Sequence, residues 1–268
     1  MNPLYWTGVS FESVAENLRE SFRVVAGSRS RGEIRELHGV SIASAGVQFQ
    51  MFNAAFLSAP VASESELAQR ILLASLHFDS RNLEWAYWVC EDLMEPRTRR
   101  ASRKIFERYG LRHSVDLPGM IAEKVEAPAK PLPHLDIRKV EDASTREAFC
   151  GIASVCFHVP IKWFMEVFDD VSVWKRFSAY VGYMDGEPVS TTAVVMGGQA
   201  AGVYNVATLP EYRRQGYGET IMRHALDCAH QEHGVRRTIL QSTPAGLHLY
   251  ERMGYRTVAK IAVYASSR

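Results

Sequence analysis

Apolar residues recur every three to four positions along some stretches of the chain and every second position along others. The two periods separate predicted helices from predicted strands. Ile221, Met222, Ala225, Leu226 and Ala229 share one helical face, and Gly234 stands where that helix should stop. Ser144 to Phe157 predicts a helix with Ser144 as its N-cap and Glu147 three residues on. Ile161 to Phe168 predicts another, and Leu247 to Met253 a short one closed by Gly254. Strand patterns cover Leu135 to Val140, Ala179 to Tyr183, Pro188 to Met196, Gly202 to Thr208, Thr238 to Gln241 and Val258 to Ala265. Asp185-Gly186 is a hairpin signal, and Gly197-Gly198 marks a second turn. The order is strand, helices, three-strand meander, helix, strand, helix, strand, which is a mixed α+β layer.

The first half follows the same two periods less cleanly. Ser10 to Val24 predicts an amphipathic helix, and Val47 to Leu57 contains strand-like stretches. Glu64 to Phe78 predicts a helix on the spacing of Leu67, Ile71, Leu72 and Leu76. Trp85 to Cys90 predicts an aromatic strand, with Trp85 and Tyr87 on one face and Trp88 on the other. Between the halves, Pro128, Pro131 and Pro133 remove amide donors and stiffen the backbone. Residues 126–134 therefore read as a linker between domains 1–125 and 135–268, both of ordinary size. Phe106-Glu107-Arg108-Tyr109-Gly110-Leu111 is echoed by Tyr250-Glu251-Arg252-Met253-Gly254-Tyr255, 144 residues on. Each copy ends a short helix with Gly before a strand, which points to a duplicated unit.

Composition narrows the function classes. Apolar residues are 47% and charged residues 23% of 268, so a disordered or fibrous chain is excluded. Lys and Arg number 31 against 30 Asp and Glu, a balance that leaves no footprint for general nucleic-acid binding. No apolar run reaches the roughly 18–20 residues of a membrane span. Met1-Asn2-Pro3-Leu4-Tyr5-Trp6 lacks a basic segment before an apolar one, so no export signal is expected and the cytoplasm is the expected compartment. Cys90, Cys150, Cys156 and Cys228 form no C-x-x-C pair and read as buried thiols in a reducing compartment. The nine histidines show no H-E-x-x-H or comparable spacing, so no metal site is expected. The basic run Arg97 to Lys104 reads as a solvated helix start.

The chemistry concentrates between Asn205 and Glu219. There a strand enters a glycine-containing loop, and the loop opens a helix. A helix start leaves amide N–H groups without partners, and the helix dipole adds positive potential. Gly216 and Gly218 let the backbone approach an anion, and Arg213 and Arg214 add charged donors. A phosphate or pyrophosphate seat is the physical expectation. A Walker loop is absent, and a dinucleotide fingerprint fails because position 221 is Ile221.

Arg213-Arg214-Gln215-Gly216-Tyr217-Gly218 does match R/Q-x-x-G-x-G/A. It resembles the acyl-coenzyme-A site of the GNAT N-acetyltransferase superfamily. Thr243-Pro244-Ala245-Gly246-Leu247-His248-Leu249-Tyr250-Glu251-Arg252-Met253-Gly254-Tyr255 resembles that family's N-x-x-A-x-x-L-Y-E-x-x-G-F block, and the meander lies upstream as the family requires. The likeness covers residues 135–268. Over 1–125 only the echo remains, without the phosphate motif and with Phe106 at the Tyr250 position, which implies a degenerate unit that is structural or walls the acceptor pocket.

The resemblance implies an α+β fold of two GNAT-like domains, each a mixed, mostly antiparallel sheet flanked by helices. It also implies acetyl transfer from acetyl-CoA to an amine. Val206, Ala207 and Thr208 match the strand that pairs with the pantetheine arm. Arg214, Gln215, Gly216, Tyr217, Gly218 and Glu219 match the positions whose amides face the pyrophosphate, and Arg213 supports the loop or the phosphates. Tyr250 matches the general acid that protonates the sulfur. Thr243 stands where the family usually has Asn, so one cofactor contact is altered. Gln241 and Gly202 stand where many members place Glu, and neither is a base. Water relays from Asn205 or Gln241, a carboxylate such as Glu166, or an acceptor that arrives neutral are the open alternatives. A non-catalytic acyl-CoA-binding or sensing module is the rival reading. The acceptor is open among metabolite amines, antibiotics, peptide N-termini and protein lysines, with Trp163, Phe164, Phe168 and Trp174 as candidate lining. No nucleic-acid or membrane partner is expected.

Overall fold

The computed structural model describes residues 8–266. The opening hexad read for an export signal lies outside them. Two runs of nearly the same element order follow one another. The first is α1 (Gly8–Gly27), β1 (Glu33–Leu37), β2 (Val40–Ser44), β3 (Asn53–Leu57), α2 (Glu64–Asp79), β4 (Ala86–Cys90), α3 (Pro96–Arg108) and β5 (Leu111–Ala122). The second begins with an added strand, β6 (Asp136–Lys139), and has two helices, α4 (Ala143–Phe157) and α5 (Ile161–Val167), in place of one. It continues through β7 (Ser178–Met184), β8 (Glu187–Gly197), β9 (Ala200–Thr208), α6 (Tyr217–His233), β10 (Thr238–Gln241), α7 (Leu247–Arg252) and β11 (Arg256–Ser266).

The eleven strands among the described residues form one sheet, ordered β1-β2-β3-β4-β11-β5-β10-β9-β8-β7-β6. Only β3/β4 and β9/β10 pair in parallel; the other neighbours are antiparallel. The two halves exchange their last strands. β11 lies against β4 of the first half, and β5 lies against β10 of the second. β5 and β11 then pair with each other over most of their length. In that register Leu117 faces Ile261. These positions are 144 residues apart, the same offset as the sequence echo, so a pseudo-two-fold axis passes through this pair. The echoed glycines, Gly110 at φ 77° and Gly254 at φ 90°, are the left-handed residues that turn α3 into β5 and α7 into β11.

Alternation along each strand assigns the faces. Ala193 and Val195 of β8 pack with α4 and α5, while Val194 packs with α6 on the opposite side. Tyr87 and Val89 of β4 lie under α2 and α3, whereas Phe22 of α1 meets Trp88 at 5.3 Å and Phe56 at 5.2 Å. Helix α1 spans the two halves. Arg19 donates to the Leu57 carbonyl in β3, and Asn17 donates to carbonyls of β8 and β9.

Three local expectations change. The cap of α4 is Asp142, whose carboxylate accepts the Thr145 amide while the Thr145 hydroxyl accepts the Asp142 amide. Asp142 supplies a stronger acceptor than Ser144, and the helix starts one residue earlier. β8 runs through Gly197, so its turn is Gly198-Gln199, both at positive φ. Val47 to Leu57 contains one strand, β3, preceded by a 3-10 turn at Gln50–Phe52, because Asn53 donates to the Val47 and Glu84 carbonyls and folds the loop back.

Candidate functional site

Strands β9 and β10 are hydrogen-bonded at Thr238↔Ala201 and Ile239↔Gly202 and then part, while β9 continues to Thr208. A bulge helps them diverge: between Thr191 and Ala193 of β8, the opposing residues jump from Ala207 to Tyr204. Asn205 takes the strain at φ 49°, and its carbonyl is held by the Thr191 hydroxyl at 2.9 Å. The consequence is an open strand end, Val206 to Thr208, beside a cleft. Val206 is half-buried against the α6-side core, Ala207 is buried on the other face, and Thr208 is half-buried.

The chain leaves β9 through Pro210–Tyr212 and reaches α6 by a loop with two left-handed residues, Arg214 at φ 62° and Gly216 at φ 93°. Gly216 is the N-cap and makes no side-chain cap. The first backbone bond of the helix is Thr220 N–H to the Gly216 carbonyl, at 3.0 Å. Among the described residues, the amides of Arg214, Gln215, Gly216, Tyr217, Gly218 and Glu219 donate to no protein acceptor. They are donors at the positive end of a 17-residue helix. Arg213, Arg214 and Gln215 are exposed; Arg213 Nε holds the Thr208 carbonyl at 3.0 Å, and Gln215 Nε2 holds the Glu211 carbonyl at 3.2 Å. Tyr217 is buried and anchors the first turn. Glu219 would oppose an anion, but Arg223 one turn on binds its carboxylate at 2.7 Å. The segment around Pro133 crosses here too: a Cβ on Gly216 would meet Pro133 Cδ at 2.8 Å.

Tyr250, on α7, lies in the same apolar cluster as Tyr217 and Val206. Its ring is pressed against Gly246, where a Cβ would come within 2.6 Å of the ring. Burial pushes its hydroxyl up to about 12. That hydroxyl is neither bonded to another described residue nor among the sealed polar atoms. Thr243 is exposed on the loop before α7, and its carbonyl accepts from the Gly246 amide and the Ser242 hydroxyl. Glu166 is committed elsewhere, bridging to Arg29 at 3.2 Å. Among the described residues no group of three His, Cys, Asp or Glu side chains could hold a metal ion.

Helix α2 occupies the matching place in the first half and is closed. Ser63 caps it by accepting the Glu66 amide, the Glu66 carboxylate accepts the Ala62 amide, and both Glu64 and Glu66 sit in the first turn. The buried Arg70 guanidinium binds the Ala59 and Pro60 carbonyls, and a Val61–Met94 bridge ties together the loops that follow β3 and β4. Phe106 stacks on Tyr264 at 4.1 Å.

Sequence reasoning missed Asn17. It is fully buried, its Nδ2 donates to the Val195, Gly197 and Ala200 carbonyls, and its Oδ1 accepts the Tyr204 hydroxyl at 2.6 Å. A Cβ on Gly202 would overlap the Asn17 amide oxygen. Gly202 is therefore the space that α1 fills. The two residues are too far apart in the chain for periodicity to connect them.

Residues 175–257 match the family model described as an acetyltransferase (GNAT) domain. No curated protein matches the chain in sequence. Among solved structures, a GCN5-related N-acetyltransferase from Kribbella flavida aligns with a TM-score of 0.73 at 18% identity, over 97% of this chain and 96% of that one. A conserved protein of unknown function from Staphylococcus epidermidis aligns at 0.62 and 12% identity, over 88% and 94%. A GCN5-related N-acetyltransferase-like protein from Streptococcus suis aligns at 0.53 and 16% identity, over 95% and 98%. At these identities the likeness is one of fold, and it extends across both halves.

Proposed function

We propose, from a chain whose residues 175–257 match the model of a GNAT acetyltransferase domain, that the protein transfers an acetyl group from acetyl-CoA to an amine at the cleft between β9 and β10. One observation carries the reading. The uncapped amides at the start of α6 adjoin the open end of β9, and the unpartnered Tyr250 hydroxyl lies in the same cluster.

The amides of Arg214 to Glu219 would hold the pyrophosphate, and Arg223 makes the place tolerable for an anion by neutralising Glu219. Arg213 fixes the loop through the Thr208 carbonyl. The free backbone edge of Val206, Ala207 and Thr208 would take the pantetheine arm as an added strand, with Thr243 across the cleft. Acetyl-CoA, when bound, supplies the acyl group as a thioester. Tyr250, protonated at neutral pH, would donate its proton to the departing sulfur. The closed α2 terminus supports a single seat per chain, with the first half a degenerate GNAT-like unit of tandem origin that walls the acceptor side. Cys90 and Cys150, buried thiols pushed up to about 12, suit a reducing compartment, and we place the protein in the cytoplasm.

Titration calorimetry of the full chain with CoA tests the seat; no measurable heat at millimolar CoA removes the reading. Tyr250→Phe tests the chemistry. Its kcat is expected to fall about 100-fold or more, with CoA affinity unchanged within about threefold. A wild-type chain that binds CoA yet turns over no amine is the non-catalytic binding module instead.

A further inference from the structure

We infer that the acceptor is a primary amine already neutral at pH 7, of the aromatic or similarly weakly basic kind, and not an alkylammonium such as a lysine side chain. The inference rests on the acetyl-transfer reading and narrows it.

The first observation is the charge at the foot of the cleft. Where β9 leaves β10, the groups on the α1 face are Tyr204, Gln241, Asn17 and Ser21, and none carries a carboxylate or an imidazole. The Tyr204 hydroxyl donates to Asn17 Oδ1 and has Ser21 and Gln241 beside it. Burial pushes that hydroxyl upward, and Gln241 Nε2 is sealed from solvent without a partner. Two titratable groups near the rim, the Glu211 carboxylate on the turn after β9 and the His158 imidazole that ends α4, are exposed to solvent rather than set at the foot. On α4, Cys156 donates to the Thr208 carbonyl, and burial pushes its thiol upward. Arg213 on the loop is a cation, and Tyr250 on α7 is a proton donor. On α1, Glu20 is bound by Arg176 at 2.5 Å and Glu16 is exposed. On α5, Glu166 is held by Arg29.

The second observation is the rim. Tyr204 and Leu209, at the open end of β9, are half-buried against the same core cluster as Phe157, Phe49, Met51 and Trp163. Phe49 and Trp163 stack at 6.4 Å and 27°. A flat apolar amine suits such an aromatic lining, and the Trp163 face is already taken by the Lys162 ammonium, 4.5 Å from the ring centroid.

The chemistry balances without a base. The amine lone pair attacks the thioester carbonyl carbon, the C–N bond forms, and the C–S bond breaks. The sulfur takes the Tyr250 proton. The nitrogen, acidic once joined to the carbonyl carbon, releases one proton that returns to Tyr250 through water. An amine with a pKa of about 10.4 is neutral in only roughly one molecule in 2,500 at pH 7, so without a base its rate is suppressed by that fraction.

Two isomers, 4-ethylaniline and phenethylamine, separate the alternatives on the purified full chain with acetyl-CoA. At pH 7 the aniline is expected to show a kcat/KM at least ~100-fold higher. Its rate should be flat between about pH 6 and 9, while that of phenethylamine should climb about tenfold per unit. Gln241→Glu, which places a carboxylate at the foot, should shift the ratio about tenfold toward phenethylamine. Equal or better use of phenethylamine at pH 7 by the wild-type chain overturns the inference. An unchanged ratio in a folded Gln241→Glu variant also counts against it; if that variant does not fold, the wild-type pH profiles decide. Absence of CoA binding in the parallel calorimetry, or CoA binding with turnover of neither amine, sinks the acetyl-transfer reading instead, so the two failures are distinct.

Discussion

Gly202 and Asn17 illustrate how one missing side chain can be worth several hydrogen bonds. Asn17 enters the sheet only because position 202 has no Cβ, and once inside it satisfies three backbone carbonyls and the Tyr204 hydroxyl. Gly202→Ala should expel that amide and leave buried acceptors unpaired, a loss of about 2–4 kcal/mol. Urea unfolding should show it as a lower midpoint with an unchanged slope. Asn17→Ala should cost a similar amount alone. The double variant should be markedly less destabilised than the two single losses added together, because both remove the same network. Full additivity in that cycle would mean the pair does not act as one unit. None of this was visible in the sequence, where Gly202 reads only as a strand residue without a carboxylate.

At the scale of elements, α2 and α6 are corresponding helices with opposite N-termini. One is capped by Ser63 and carries Glu64 and Glu66; the other starts at Gly216 with its amides free. Two predictions follow from this contrast. CoA should bind with a calorimetric stoichiometry near one per chain. Ser63→Ala should lower stability by about 1 kcal/mol and leave CoA affinity untouched, whereas Gly216→Val should weaken CoA binding at least ~10-fold through its left-handed backbone and its contact with Pro133. The second half was legible because its signals are local: Asp185-Gly186, Gly234 and Gly254 each sit at the turn or helix end that requires them. β1 and β2 were not legible. β1 is an edge strand, half-exposed or exposed along its length, and β2 is buried on both faces, so neither alternates.

For the whole molecule, the exchange of β5 and β11 makes the two halves one cooperative body. The aromatic strand and the echo were readable, but exchange depends on contacts between residues more than a hundred positions apart, which no periodicity encodes. A fragment of residues 124–268 would keep β10 and β11 and lose β5. The register through Leu117 and Ile261 predicts its remedy: two copies, each lending β11 to the place beside the other's β10. Analytical ultracentrifugation should find a dimer. A stable folded monomer would show that the missing neighbour is dispensable.

The same crossing of strands sets a timetable for biosynthesis. β5 emerges from the ribosome well before β10 and β11, the two strands that will flank it. β4 must wait for β11, the last of the described strands. At bacterial or eukaryotic elongation rates the wait is on the order of ten seconds. Through that interval the nascent first half carries open backbone edges on β4 and β5, so its exposure to aggregation or chaperone capture should end only when β11 has docked.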